Sequence, residues 1–97
     1  MTPSRIEKSN GNVFSDLGFD SEEAQNLKLR AELMSRIENN VVKSRLTQQE
    51  AAKLLGITQP RLNALLKGHI NDFSLDALVI LLSRVGFQVT MKVKKAA

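Results

Sequence analysis

Apolar residues recur every three or four positions from Ala24 onward. Ala24, Leu27, Ala31, Met34, Ile37 and Val41 form one stripe, which predicts a long amphipathic helix. Asp20 with Glu23 three residues on has the form of a capping box, and Glu22 and Glu23 suit the positive end of a helix dipole. The polar run Glu38-Asn39-Asn40 leaves the end of this helix anywhere in residues 40–44.

Two short apolar-periodic runs follow, each opening on Thr-Gln. Thr47 is a good N-cap for a helix Gln48–Leu55, and Gly56 can take the left-handed conformation that closes it. Thr58 caps a second helix, Gln59–Lys67, which Gly68 ends. Pro60 fits a first helical turn but biases Gln59 away from helical geometry, so a start one residue later is allowed. After a loop at 69–73, Ser74 caps Leu75–Val85, with Leu75, Leu78, Val79, Leu82 and Val85 as its apolar stripe and Gly86 as its terminator.

Beyond Gly86 the period changes from helical to alternating. Phe87, Val89, Met91 and Val93 alternate with Gln88, Thr90, Lys92 and Lys94, which predicts a half-buried strand. Nothing else in the chain reads as a strand. A lone strand leaves its backbone groups unpaired, and its own copy across a two-fold axis is the simplest partner. Phe87, Val89, Met91 and Val93 are therefore the expected dimerisation residues. At the other end, "MTPSRIEKSNGN" lacks apolar periodicity and reads as a leader. "VFSDLGF" (residues 13–19) is either a turn packed on the body or an exposed docking peptide.

Composition narrows the class. The 97 residues include no cysteine and one histidine, His69, so thiolate or multi-histidine metal sites and disulfides are excluded and no metal or cofactor is expected. His69, just past Gly68, reads as a surface or backbone-capping residue. No apolar run approaches the ~18 residues of a membrane span, and a signal-peptide core is missing; a cytoplasmic protein with no membrane association is the expectation. The net charge of +4 is unevenly spread, because residues 1–40 carry five Lys/Arg against seven Asp/Glu and residues 41–97 carry nine against three. A basic C-terminal part beside an acidic N-terminal part suits two partners of opposite charge, although solvated faces alone would produce the same numbers. No nucleophile–base pair and no phosphate-cradling glycine loop is present, and Glu22-Glu23 is accounted for by the helix dipole, so an enzyme is not expected.

The two short helices carry the candidate chemistry. With Gln48 as the first position, Ala52 stands fifth, where a small side chain lets a second helix cross closely. Gly56 stands ninth, where the chain must turn with positive φ. Ala51, Leu55, Ile57, Leu62 and Leu65 occupy the positions that pin the helices together. This spacing is that of a helix-turn-helix. In that geometry the first helix meets the DNA backbone with Gln48, and Thr58 and Gln59 open the helix that enters the major groove. Free N–H groups at a helix start favour phosphate, a glutamine amide can pair with adenine, Arg61 can read guanine, and Asn63 can read adenine or hold a phosphate. Lys67, with Lys43, Arg45 and Lys53 as weaker candidates, supplies phosphate attraction. The expected DNA-binding set is Gln48, Thr58, Gln59, Arg61, Asn63 and Lys67.

At "TQQEAAKLLGITQPRLNALLKG" the sequence resembles the Cro/phage-repressor, or Xre-type, helix-turn-helix family. Read together with "NVFSDLGF" and "FSLDALVILLSRVGFQV", it resembles small antitoxin regulators of the HigA type over roughly residues 12–95. That resemblance implies a homodimer that represses its own operon at two half-sites of double-stranded DNA and neutralises a toxin, a RelE-fold ribosome-dependent mRNA endonuclease. It places Gln48, Gln59, Arg61 and Asn63 at the family's usual DNA-facing positions. A repressor without a toxin, or an interaction module that no longer binds DNA, are the alternatives; the polar set Gln59, Arg61, Asn63 and Lys67 speaks against the latter. The expected architecture is all-α: a phage-repressor-like bundle with one C-terminal β-strand pairing across a homodimer. Its divisions are a leader at 1–12, an N-terminal segment and long helix at 13–43, a helix-turn-helix domain at 44–86, and a dimerisation strand and basic tail at 87–97.

Overall fold

A computed structural model describes Gly18 and residues 20–95. The expected leader, nearly all of the Val13–Phe19 segment and the last two residues of the tail lie outside the described residues. The described chain is all-helical: α1 (Ser21–Ser44), α2 (Gln48–Leu55), α3 (Gln59–Leu66), a 3-10 turn at Ile70–Asp72, and α4 (Leu75–Arg84).

Each α-helix starts where a short polar side chain can hold a free amide. The Asp20 carboxylate accepts from the Glu23 amide at 2.7 Å, Thr58 Oγ1 from the Arg61 amide at 3.2 Å, and Ser74 Oγ from the Ala77 amide at 3.1 Å. Thr47 goes further. Its hydroxyl accepts from the Glu50 amide at 3.1 Å while Glu50 Oε1 accepts from the Thr47 amide at 2.9 Å, a complete capping box. Pro60 leaves the start of α3 at Gln59 because it occupies the first turn, where the helix ladder requires no N–H from it.

α1 lies mainly against α4, while α2 and α3 pack on each other and on that pair. Their shared core consists of Met34 and Ile37 from α1, Ala51, Ala52 and Leu55 from α2, Leu62 and Leu65 from α3, Phe73, and Leu78, Leu81 and Leu82 from α4. Full burial of an aliphatic side chain contributes about 1.5–3 kcal/mol, so this cluster is the main force that brings the four helices together. Ala24 and Leu27 are also buried, whereas Ala31 and Val41 of the predicted α1 stripe are only half-buried.

Two expectations are corrected. In α4 the inner face uses Leu81, and Val79 is exposed. Both flank Leu78 and Leu82, one on each side, and the position of α1 decides which flank is covered. The second correction is the C-terminal strand. Among the described residues there is no strand, and residues 87–95 have no regular secondary structure. Of the four alternating residues only Val89 packs against the core; Phe87, Met91 and Val93 are 37, 67 and 83% exposed. The alternation is present in the sequence, but a ladder requires a neighbouring strand, and one chain contains none to pair with.

Candidate nucleic-acid interface

The turn between α2 and α3 is built from the backbone. Gly56 has φ +73° and ψ 30°, a conformation that side-chain-bearing residues avoid. Its amide donates to the Lys53 carbonyl at 3.1 Å, and the Ile57 amide donates to the Ala52 carbonyl at 3.0 Å. These two bonds close α2 as a Schellman motif and aim the chain toward Thr58. Ile57 packs on the core directly after the turn, so the entry to α3 is fixed at both ends. The far end of α3 closes in the same way, with Gly68 donating to Leu65 and His69 to Ala64, each at 3.0 Å.

Leu62 and Leu65 point α3 inward. At 3.6 residues per turn, Gln59 and Asn63 then share the outward face, and Lys67 continues their line at the helix end. Gln59 and Lys67 are exposed and Asn63 is half-buried. Gln48 is exposed as the first residue of α2. Thr58 is exposed, but its hydroxyl accepts from an amide of its own helix, so its part is to set the helix start.

Arg61 is placed differently from the other candidates. It stands one flank away from Gln59 and Asn63, beside the edge of Leu65. Its guanidinium carbon lies 4.4 Å from the centre of the Phe73 ring, and Nη1 donates to the Asp72 carbonyl at 3.3 Å. Arg61 is exposed, as the sequence predicts, yet it is already engaged by its own chain. Lys43, Arg45 and Lys53 are exposed, and so is His69, whose Nδ1 lies 3.6 Å from an Asp72 carboxylate oxygen.

Three residues that the sequence reading leaves aside hold this frame together. Phe73, placed in a loop by the pattern, is 1% exposed and anchors the segment after α3. Arg30 reaches from α1 to the same segment, with Nη1 donating to the carbonyls of Ile70 at 3.2 Å and Phe73 at 3.3 Å. Arg84, in the last turn of α4, donates from Nη1 to the Leu55 carbonyl at 2.7 Å. A charged residue on a helix is ordinarily read as solvated, and nothing in the local sequence of Arg30 or Arg84 marks a backbone carbonyl 29 or more residues away as its target. Phe73 did carry a signal, as one of only four aromatic residues in the chain. Among the described residues no cluster of His, Asp and Glu could hold a metal, and no helix is long and apolar enough to cross a membrane.

Capped helices, a glycine turn and a polar outer face on α3 together define a helix-turn-helix protein, and the chain belongs to that family: the model described as "Helix-turn-helix domain" matches residues 13–94. A similar solved structure carries a provisional description as an XRE-family transcriptional regulator. It is 28% identical with a TM-score of 0.71, over 76% of this chain and 83% of that one. No curated protein matches the sequence.

Proposed function

We propose that this protein is a sequence-specific DNA-binding transcriptional repressor that reads its operator with α3. The observation that carries this reading is the α3 face itself: Gln59, Asn63 and Lys67 share one side of a helix whose N-terminus is fixed by Thr58, next to a turn closed by Gly56 in the left-handed conformation. The N-terminal end of such a helix is the part that reaches base edges, while Gln48 at the start of α2 and Lys67 hold the backbone. Membership of the helix-turn-helix family and the likeness to an XRE-family regulator support the same reading.

In the fuller form of this reading the protein is a homodimeric antitoxin that represses its own operon and neutralises a RelE-fold mRNA endonuclease. What supports it is the resemblance to HigA-type regulators and the exposure of the apolar Phe87, Met91 and Val93, which a second copy would cover. Two recognition helices in such a dimer meet half-sites about 34 Å apart or a multiple of that.

The decisive experiment is a salt series of binding to the DNA upstream of the protein's own gene, beside a scrambled duplex of equal length. A preference of ~10³-fold or more for the upstream duplex is expected. Equal, steeply salt-dependent binding to both would reduce the interaction to phosphate attraction and remove the repressor reading.

A further inference from the structure

We infer that Arg84 is a positioning residue for the recognition helix, a brace from the end of α4 that holds the turn from which α3 departs. The inference rests on the DNA-reading role of α3 proposed above.

The turn after α2 leaves a helix carbonyl open. The Schellman closure of α2 uses the carbonyls of Ala52 and Lys53. The Leu55 carbonyl, last in the helix and at the negative end of its dipole, is not part of that pattern. Arg84 Nη1 lies 2.7 Å from it, a short charge-assisted bond in which a cation faces a helix C-terminus. The same guanidinium fills the space beside Gly56. A Cβ built on that glycine would lie 2.7 Å from Nη1 and 3.3 Å from Cζ. Gly56 is favoured by its positive φ, and its missing side chain leaves the place that the Arg84 guanidinium occupies, so a methyl there would push the guanidinium aside. Three residues after Leu55 the chain is already at Thr58, the cap of α3. A change in the angle at Leu55–Gly56 is thus transmitted almost directly to the direction of Gln59 and Asn63, and a misdirected helix loses base contacts before it loses phosphate contacts.

A direct phosphate contact by Arg84 makes different demands and is distinguishable. Full-length wild type, R84A and R84K are compared on the upstream duplex and on the scrambled duplex, each across a salt series. R84A is expected to lose about tenfold or more on the upstream duplex and nothing on the scrambled one, with the slope of log K against log salt unchanged. R84K, whose ammonium can still donate to the Leu55 carbonyl, is expected to recover part of the loss. Equal losses on both duplexes with a slope shallower by about 0.9 would make Arg84 a phosphate contact and overturn the proposal, as would unchanged affinity on both.

If wild type itself shows no preference between the duplexes, it is the DNA-reading role that fails. The brace is then judged without DNA, by thermal unfolding of G56A, R84A and the double variant. A methyl at position 56 displaces the guanidinium, so both single changes remove the same bond. The double variant is expected to be less destabilised than the sum of the singles. Strict additivity would show that Arg84 does not bear on the turn.

Discussion

Arg61 has two demands on one guanidinium. In the free chain it covers the Phe73 ring and bonds the Asp72 carbonyl, which fixes a long side chain in one orientation beside the outer face of α3. If that orientation also serves a base, R61A weakens binding to the specific duplex by ~1–3 kcal/mol and lowers folding stability by ~0.5–1 kcal/mol through the lost ring contact. R61K separates the two parts, because lysine keeps a cation for the ring but not the planar fork that reads guanine. Wild-type affinity in R61K would leave Arg61 a structural role alone. A simpler test at this scale concerns Thr47. Its reciprocal bonds with Glu50 predict that T47A costs about 1 kcal/mol, measured by urea unfolding, although no part of the core is touched.

At the level of elements, helix ends decide more than helix interiors. α2 and α3 have eight residues each, too short to persist alone in water. They exist because caps satisfy their ends and because Ala51, Ala52, Leu55, Leu62 and Leu65 are covered by α1 and α4. α1 ends less comfortably than its neighbours. Arg45 has φ +60°, a left-handed conformation taken there by a residue with a side chain. The strain is about 1–2 kcal/mol, and glycine would remove it while adding roughly 0.4–1 kcal/mol of unfolded-state entropy. R45G is therefore expected to raise the melting temperature slightly, read by calorimetry. A lower melting temperature would mean that the arginine side chain makes a stabilising contact that offsets the strain.

At the scale of the whole molecule, the segment after α4 exposes apolar side chains. Phe87, Met91 and Val93 are apolar and exposed beyond α4, and Ile80 is exposed on α4 itself. In the proposed homodimer a second copy would pair with the backbone of residues 87–93 and cover apolar side chains of that segment. Deletion of residues 88–97 is expected to give monomers in sedimentation velocity, with a large loss of affinity for a two-half-site duplex. A truncated protein that still sediments as a dimer would show that the contact lies elsewhere.

The local code of this protein is nearly complete in its sequence. Among the described residues the α-helices start at the caps Asp20, Thr47, Thr58 and Ser74, and three of them end within two residues of Gly56, Gly68 and Gly86. The end of α1, left open over residues 40–44 by the sequence, falls at Ser44. Caps and left-handed closures act through bonds spanning three to five residues. The helix-turn-helix spacing was legible for the same reason, and with it the outward positions of Gln59, Asn63 and Lys67. What the tertiary structure decided involves partners far apart in the chain. It chose Leu81 over Val79 by where α1 lies, buried Phe73, turned Arg61 onto that ring, and sent Arg30 and Arg84 to carbonyls of other elements. It also withheld the strand at 87–93. Periodicity specifies which side chains share a face, but a hydrogen-bonded ladder exists only where a second strand is supplied, and that is a property of packing or assembly.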